Sequence, residues 1–331
     1  MELNLTQRKI LKLLSLNCRY SNQDIGKAIG VSADTVQYQI ENLIENRKLA
    51  SFIILFDYRM IGFHHYHYLI RLKDISKLDI SPLKALKFIT FINTGYGKYD
   101  IQLIVIARTE LELEKNLHKI ESLLGDNIQD FLLLKFSSQY KYTHLLPHMN
   151  LDVKVPRNQK NPIYSLNKEN FVEEDEYQEI KLDKLDNKII KELVKNPRIN
   201  YLRLANLLKV SHETIRYRIS NYVKKEFITT IGLFNDFKKH GYFMNYLFLK
   251  LKTYNESLFK TFLDKNPHIF YSARLVGEYN CIIYILAKTP EEFSEEIKKI
   301  RNYFKDKILD LELLYFEKTE KNVQFPELLL E

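Results

Sequence analysis

The chain repeats itself, and that repeat limits its possible folds more than any other feature. Val31–Ile40 (VSADTVQYQI) aligns with Val210–Ile219 (VSHETIRYRI) at a shift of 179, with Val, Ser, Thr, Tyr and Ile recurring in place. At the same shift Asp57 meets Asp236, Gly62 meets Gly241, and Arg71-Leu72-Lys73 meets Lys250-Leu251-Lys252. Further on the shift becomes 180, pairing Gly97 with Gly277, Tyr99 with Tyr279, Thr109 with Thr289 and Phe136 with Phe316. A match this long is a tandem duplication of a whole folding unit rather than a shared short motif. Between the copies lies Leu151–Lys181, with Pro156, Pro162 and the acidic run Glu173-Glu174-Asp175-Glu176, a composition that reads as a linker. If flexible, about 30 residues span roughly 30 Å, which lets the copies touch each other or reach separate partner sites.

Length and composition exclude several classes. With 331 residues, 45% hydrophobic and 28% charged, the chain is globular and long enough for two to four domains. Its longest nearly apolar runs, Ile101–Ala107 and Cys281–Ala287, are far short of the roughly 20 residues a membrane-crossing helix needs. The start, MELNLTQRKILKLL, is interrupted by Arg8, Lys9 and Lys12 and lacks a secretory signal, so a cytoplasmic protein is expected. Cys18 and Cys281 are too few for a disulfide framework or a four-cysteine zinc site. The net charge of +8 permits a polyanionic partner without demanding one.

Each copy opens with helical spacing, at Ile10, Leu13 and Leu14 and at Ile189, Ile190, Leu193 and Val194. A second helix starts at the N-cap Ser21 and closes at Gly30, and Ser32 and Ser211 then cap a third. Three helices with a very short second connection form a helix-turn-helix. The remainder of the first copy reads as strand, helix, strand, strand, helix, strand: Tyr66–Leu72, Ser81–Lys87, Phe88–Asn93, Tyr99–Ala107, Glu110–Leu124 and Asp130–Phe136. The second copy gives Tyr246–Lys252, Glu256–Leu263, Ile269–Leu275, Tyr279–Ala287, Pro290–Phe304 and Leu309–Phe316. The expected fold is therefore α+β, with two winged-helix-like helix-turn-helix domains and two ferredoxin-like βαββαβ domains in tandem. The boundaries read 1–50, 51–150, a linker over 151–181, 182–229 and 230–331. Strands such as Ile101–Ala107 are too apolar to face water on the side away from the helices, so the sheets are expected to pair.

The segment LDNKIIKELVKNPRINYLRLANLLKVSHETIRYRISNYVKKEFI, followed by VGEYN and its apolar strand, resembles the Lrp/AsnC (feast/famine) family of transcription regulators, and the likeness covers nearly the whole chain twice. The resemblance implies an N-terminal helix-turn-helix joined to a βαββαβ sensing domain, binding to double-stranded DNA, and association through the sensing domains. Two fused copies then imitate a dimer, as an intrachain pseudo-dimer or within a homo-oligomer. It also implies a small effector, often an amino acid, near the glycine turn.

In the first copy the candidate DNA-binding residues are Ser32, Thr35, Gln37, Tyr38 and Gln39. In the second they are Ser211, His212, Thr214, Arg216, Tyr217, Arg218, Lys224 and Lys225. Ser32–Glu45 carries −3 (Asp34, Glu41, Glu45), whereas Ser211–Lys225 carries +3 (four basic residues minus Glu213). Phosphate affinity rises with the number of cations, so the second head is expected to supply more of it, while Gln37 and Gln39 retain the chemistry to read adenine. The alternative places Tyr38 and Tyr217 in the three-helix core and the arginines on a solvated surface.

The effector candidates are Gly97, Tyr99 and Asp100, with Gly277, Tyr279 and Asn280 in the second copy. Asp100 offers a charge for an ammonium group that Asn280 lacks. The plain alternative is a tight turn that shapes an interface. No cofactor and no metal are expected: His64, His65 and His67 have no histidine counterparts in the second copy, and Pro147 breaks the helical spacing of His144 and His148. No nucleophile–base pattern or phosphate loop emerges, so the chain reads as a non-enzyme. The alternative is a fused sirohaem decarboxylase-like enzyme of haem biosynthesis, since such enzymes resemble the same family.

Overall fold

The computed structural model describes residues 3–46, 51–149, 151–156, 179–326 and 328. Most of the linker reading, including Glu173–Glu176, lies outside the described residues. No helix among them is long and apolar enough to cross a membrane.

Each head is three helices placed by local caps. In the first, α1 (Leu5–Leu16) is opened by a capping box between Asn4 and Gln7, and α2 (Asn22–Ile29) runs from Ser21 to Gly30, whose φ of 79° ends it in a left-handed turn. The third helix, α3 (Ala33–Glu45), starts where the Ser32 side chain accepts the Thr35 N–H. The elements between the heads are β1 (Ser51–Phe56), β2 (His64–Leu72), α4 (Ser81–Ala85), β3 (Ile89–Tyr96), β4 (Ile101–Ala107), α5 (Glu110–Leu124) and β5 (Ile128–Tyr142). The second head repeats the first as α6 (Lys184–Lys195), α7 (Tyr201–Leu208) and α8 (His212–Lys224). Lys209 takes the left-handed place of Gly30, with φ 56°, a conformation that costs a non-glycine residue about 1 kcal/mol. The chain then closes with β6 (Ile228–Phe234), β7 (Phe243–Leu251), α9 (Glu256–Lys265), β8 (Ile269–Val276), β9 (Cys281–Ala287), α10 (Pro290–Phe304) and β10 (Ile308–Asn322).

The two ferredoxin-like sheets face each other and join at both edges into a closed barrel, in the order β10-β3-β4-β2-β5-β8-β9-β7. Closure explains why β5 and β10 run on past the expected ends at Phe136 and Phe316. The first part of β5 pairs with β2 of its own copy, and from Lys135 onward it pairs with β8 of the other. At the second seam, β10 leaves β7 at Tyr315 and continues along β3. Bulges at Phe136/Ser138 and Phe316/Lys318 bend each strand from one sheet into the next. Closing the sheets removes free edges and buries the apolar faces that the sequence required to be covered. The helices stay outside, with α4 and α5 over one core containing Tyr68, Leu103 and Ile120, and α9 and α10 over another containing Phe259, Ile283 and Phe304.

Above the barrel, β1 and β6 pair antiparallel as a two-stranded ribbon, Ser51 opposite Phe234 and Leu55 opposite Thr230. The heads cross over this ribbon: the Cys18 N–H at the end of α1 donates to Ile231 O on β6 of the other copy. Gly232 permits that approach, because a Cβ there would lie 2.9 Å from Ser15 O.

Candidate nucleic-acid interface

In both heads the third helix buries one side and presents the other. Val36, Ile40 and Leu43 of α3 are buried, as are Ile215, Ile219, Tyr222 and Val223 of α8. Tyr38 and Tyr217 are 62% and 69% exposed, so neither fills the three-helix core as the alternative supposed. Gln37, Arg216, Lys224 and Lys225 are exposed beside them. Ser32 and Ser211 cap their helices, and their hydroxyls also reach those of Thr35 and Thr214 at 2.8 and 2.9 Å. His212 is half-buried, with its ring 6.2 Å from that of Tyr201.

Arg218 and Gln39 are placed differently from their neighbours. Arg218 Nη1 lies 2.9 Å from both carboxylate oxygens of Asp186, and Nη2 is 2.8 Å from Asp183. Tyr222 donates its hydroxyl to the same Asp186 carboxylate. Burial, then that hydrogen bond, hold the Tyr222 hydroxyl protonated well above the ordinary range. In the first head the equivalent positions are occupied by amides: Gln7 Nε2 donates to Gln39 Oε1 at 3.0 Å. One head is tied together by an ion pair and the other by neutral hydrogen bonds. Sequence spacing could not show this, because the partners lie on the first helix, 32 residues away in both heads.

A reciprocal clasp joins the heads. The Arg19 guanidinium donates to Pro197 O at 2.6 Å and Ile199 O at 2.8 Å, and sits 4.7 Å from the centre of the Tyr201 ring. Its repeat equivalent, Arg198, donates to Asn22 Oδ1 at 3.2 Å and lies 5.2 Å from the Phe52 ring. Nothing in the local pattern around either arginine announces the contact.

At the glycine turns, Gly97 and Gly277 have φ of 136° and 142°. A Cβ at Gly97 would lie 2.8 Å from Leu314 Cδ2, and one at Gly277 would lie 2.7 Å from Leu134 Cδ2, so each turn presses against the other copy. Tyr99 and Tyr279 are buried, and Tyr279 donates its hydroxyl to Asp310 at 3.1 Å. Asp100 Oδ2 accepts the Leu72 N–H at 2.7 Å, and Asn280 Oδ1 accepts the Leu251 N–H at 2.9 Å. The two side chains therefore do the same backbone work in the two copies.

A roomy cleft lies elsewhere, between ribbon and barrel, with a volume of about 830 Å³ and walls that include Arg59, His65, Lys141, Tyr142, Lys224 and Thr229. It draws on both copies, which hides it from a reading of either alone. Burial holds His65 down at about 4 and pulls Lys141 down to about 8. Burial also pushes the Cys18 and Cys281 thiols up to about 12, which keeps both protonated at neutral pH.

The arrangement is that of a tandem helix-turn-helix protein whose two heads share one ferredoxin-like barrel. A family model described as the AsnC-type helix-turn-helix domain matches residues 182–222, and one described as winged helix-turn-helix DNA-binding matches residues 3–47. An uncharacterized HTH-type transcriptional regulator of Pyrococcus abyssi is 30% identical over 135 residues, covering 40% of this chain and 88% of that protein. The HTH-type transcriptional regulator Ptr1 of Methanocaldococcus jannaschii is 30% identical over 122 residues, covering 36% of this chain and 82% of that one. The chain belongs to the Lrp/AsnC family of helix-turn-helix regulators.

The crystal structure of the siroheme decarboxylase NirDL matches across 97% of this chain and 94% of its own, with a TM-score of 0.62 at 14% identity. This likeness of fold corrects the expectation of a non-enzyme. The full tandem architecture is also that of an enzyme, so the lack of a recognisable catalytic motif in the sequence does not exclude catalysis on it.

Proposed function

We propose that the chain is a sequence-specific, double-stranded DNA-binding transcription regulator in which α3 and α8 are the recognition helices. The observation that carries this reading is the exposure of Tyr38 and Tyr217 on third helices whose opposite sides are packed into their heads. Such a helix enters a major groove with its N-terminal residues toward base edges. That assigns base-edge contacts to Gln37, Tyr38, His212, Arg216 and Tyr217, and phosphate contacts to Lys225 and to the capping Ser32, Thr35, Ser211 and Thr214. Lys224 is the phosphate contact that also borders the cleft. Arg218 and Gln39 support their helices from behind. Two heads related by the repeat favour half-sites about 34–36 Å apart, or a multiple of that spacing. The test is binding to a library of genomic duplex fragments at low salt, with enrichment of a shared two-part site expected; absence of any duplex binding would reject the function.

The effector part of the proposal places an amino-acid ammonium at Asp100. Since Oδ2 is held by the Leu72 N–H, the ligand must take Oδ1. The second copy offers only the neutral Asn280 at that place, which makes one site per chain the expected stoichiometry.

A further inference from the structure

The barrel interior is not symmetric, and its asymmetry bears on which sensing domain pairs with which. A buried network crosses from one copy to the other. Asn93 Nδ2 donates to Tyr246 Oη at 3.1 Å and to Gln102 Oε1 at 3.1 Å. Gln102 Nε2 lies 3.2 Å from Tyr284 Oη and 3.1 Å from His67 Nδ1, and Thr319 donates to Asn93 Oδ1 at 2.8 Å. His67, Asn93 and Gln102 belong to the first copy, and Tyr246, Tyr284 and Thr319 to the second.

The repeat register shows what other pairings would bring together. His67 corresponds to Tyr246, Asn93 to Ala273, Gln102 to Ile282 and Tyr284 to Ile104. If two second copies paired, Tyr246 and Thr319 would meet Ala273 in place of Asn93, and Tyr284 would meet Ile282 in place of Gln102. Two buried hydroxyls, those of Tyr246 and Tyr284, would lose their partners across the interface, each at a penalty of roughly ten- to a hundred-fold in the pairing equilibrium. If two first copies paired, Gln102 would face Ile104 and lose its hydroxyl partner.

The strand seams add a steric argument independent of the hydrogen bonds. Gly95 faces Phe316 where β3 meets β10, and a Cβ there would lie 2.1 Å from Tyr315 O. At the opposite seam the equivalent residue is Leu275, facing Phe136 and 1% exposed. A pairing of two second copies would bring Leu275 to a seam that in this barrel has no room for a Cβ.

We propose that the sensing domains are a matched heterotypic pair: the first-copy domain accepts a second-copy domain as its partner, and two second copies do not pair because each carries Ala273, Leu275 and Ile282 where the first copy has Asn93, Gly95 and Gln102. The functional barrel then always contains one domain of each kind, so every barrel carries one head of each kind.

The test begins with the full chain, carrying a protease site inserted between residues 160 and 175, folded and then cut. Isotopically labelled and unlabelled cut protein are mixed, unfolded in urea and refolded together, and native mass spectrometry reads the pairs. Only pairs of a first half with a second half are expected, with label scrambled among them. Homotypic second-half pairs approaching their share of a random assortment would overturn the proposal. A double-mutant cycle on the uncut chain, Asn93→Ala with Tyr246→Phe, reads the same interface without refolding separated halves. Coupling of at least five-fold in the unfolding equilibrium is expected, and coupling below two-fold would also overturn it.

Discussion

Arg218 Nη1 sits 2.9 Å from both oxygens of the buried Asp186 carboxylate, tying the recognition helix of the second head to its first helix. Removing one partner of such a pair leaves the other buried and uncompensated, at a cost of about 3 kcal/mol. Arg218→Ala and Asp186→Asn should each lower the urea midpoint of the second head accordingly. The double variant Asp186→Gln/Arg218→Gln copies the Gln7–Gln39 amide pair of the first head and should recover most of the loss. Single variants that cost less than about 1 kcal/mol, the range of an exposed surface pair, would show that the pair holds nothing in place.

Arg19 and Arg198 reach across to opposite heads, so they set the relative position of the two recognition helices. Arg19→Ala/Arg198→Ala should leave each head folded while relaxing the preference for one half-site spacing. Binding to duplexes whose half-sites are moved apart one base pair at a time checks this: a sharp optimum is expected for the parent and a broad one for the variant. An equally sharp optimum in both would mean that the ribbon alone fixes the heads.

Asp100→Asn tests the effector assignment cleanly, because Asn280 already performs the same backbone role in the second copy. The variant should keep the parent's melting temperature within about 2 °C, as expected for a change under about 0.5 kcal/mol. It should lose any amino-acid binding seen by titration calorimetry. Unchanged affinity would remove Asp100 from the ligand site.

Acid should weaken the fold through its buried histidines. Burial holds His65 at about 4 and His67 and His144 at about 3 in the folded chain, against 6.5 for an ordinary histidine. The unfolded chain therefore takes up protons first as pH falls below about 6.5. The stabilisation from keeping these rings neutral is complete above that pH and is lost as pH drops toward about 3–4. Each contributes a slope of at most ~1.4 kcal/mol per pH unit. Denaturation of the parent and of His67→Gln at pH 7 and pH 5 should show a smaller pH effect in the variant; equal effects would mean that His67 does not resist protonation.

How legible each feature was in the sequence depends on where its signal resides. The caps at Ser21, Ser32 and Ser211, the stop at Gly30 and the βαββαβ order come from neighbouring residues, and each reading matches the structure. Sheet pairing was legible because Ile101–Ala107 is apolar on both faces, but closure was not. The continuation of β5 through Ser137–Tyr142 opens on three polar residues, Ser137, Ser138 and Gln139, and becomes strand by pairing with β8. Arg218 read as a phosphate contact because it flanks Tyr217; its commitment to Asp183 and Asp186 depends on packing between helices. The cleft and the Arg19 clasp join residues from both copies, where local periodicity carries no information.

If exposed third helices on a shared barrel bind duplex DNA, with the second head supplying more of the charge, the salt dependence of binding reports it most directly. The measurement uses one enriched duplex with the parent and with Arg216→Ala/Lys225→Ala. Each lost phosphate contact should reduce the slope of log K against log salt by about 0.9, so loss of the Lys225 contact reduces it by about 1, while loss of the Arg216 base contact weakens affinity further. The expected result is a slope lower by about 1 in the variant, with affinity at least about ten-fold weaker at physiological salt. Unchanged slope and affinity would contradict DNA binding through these helices.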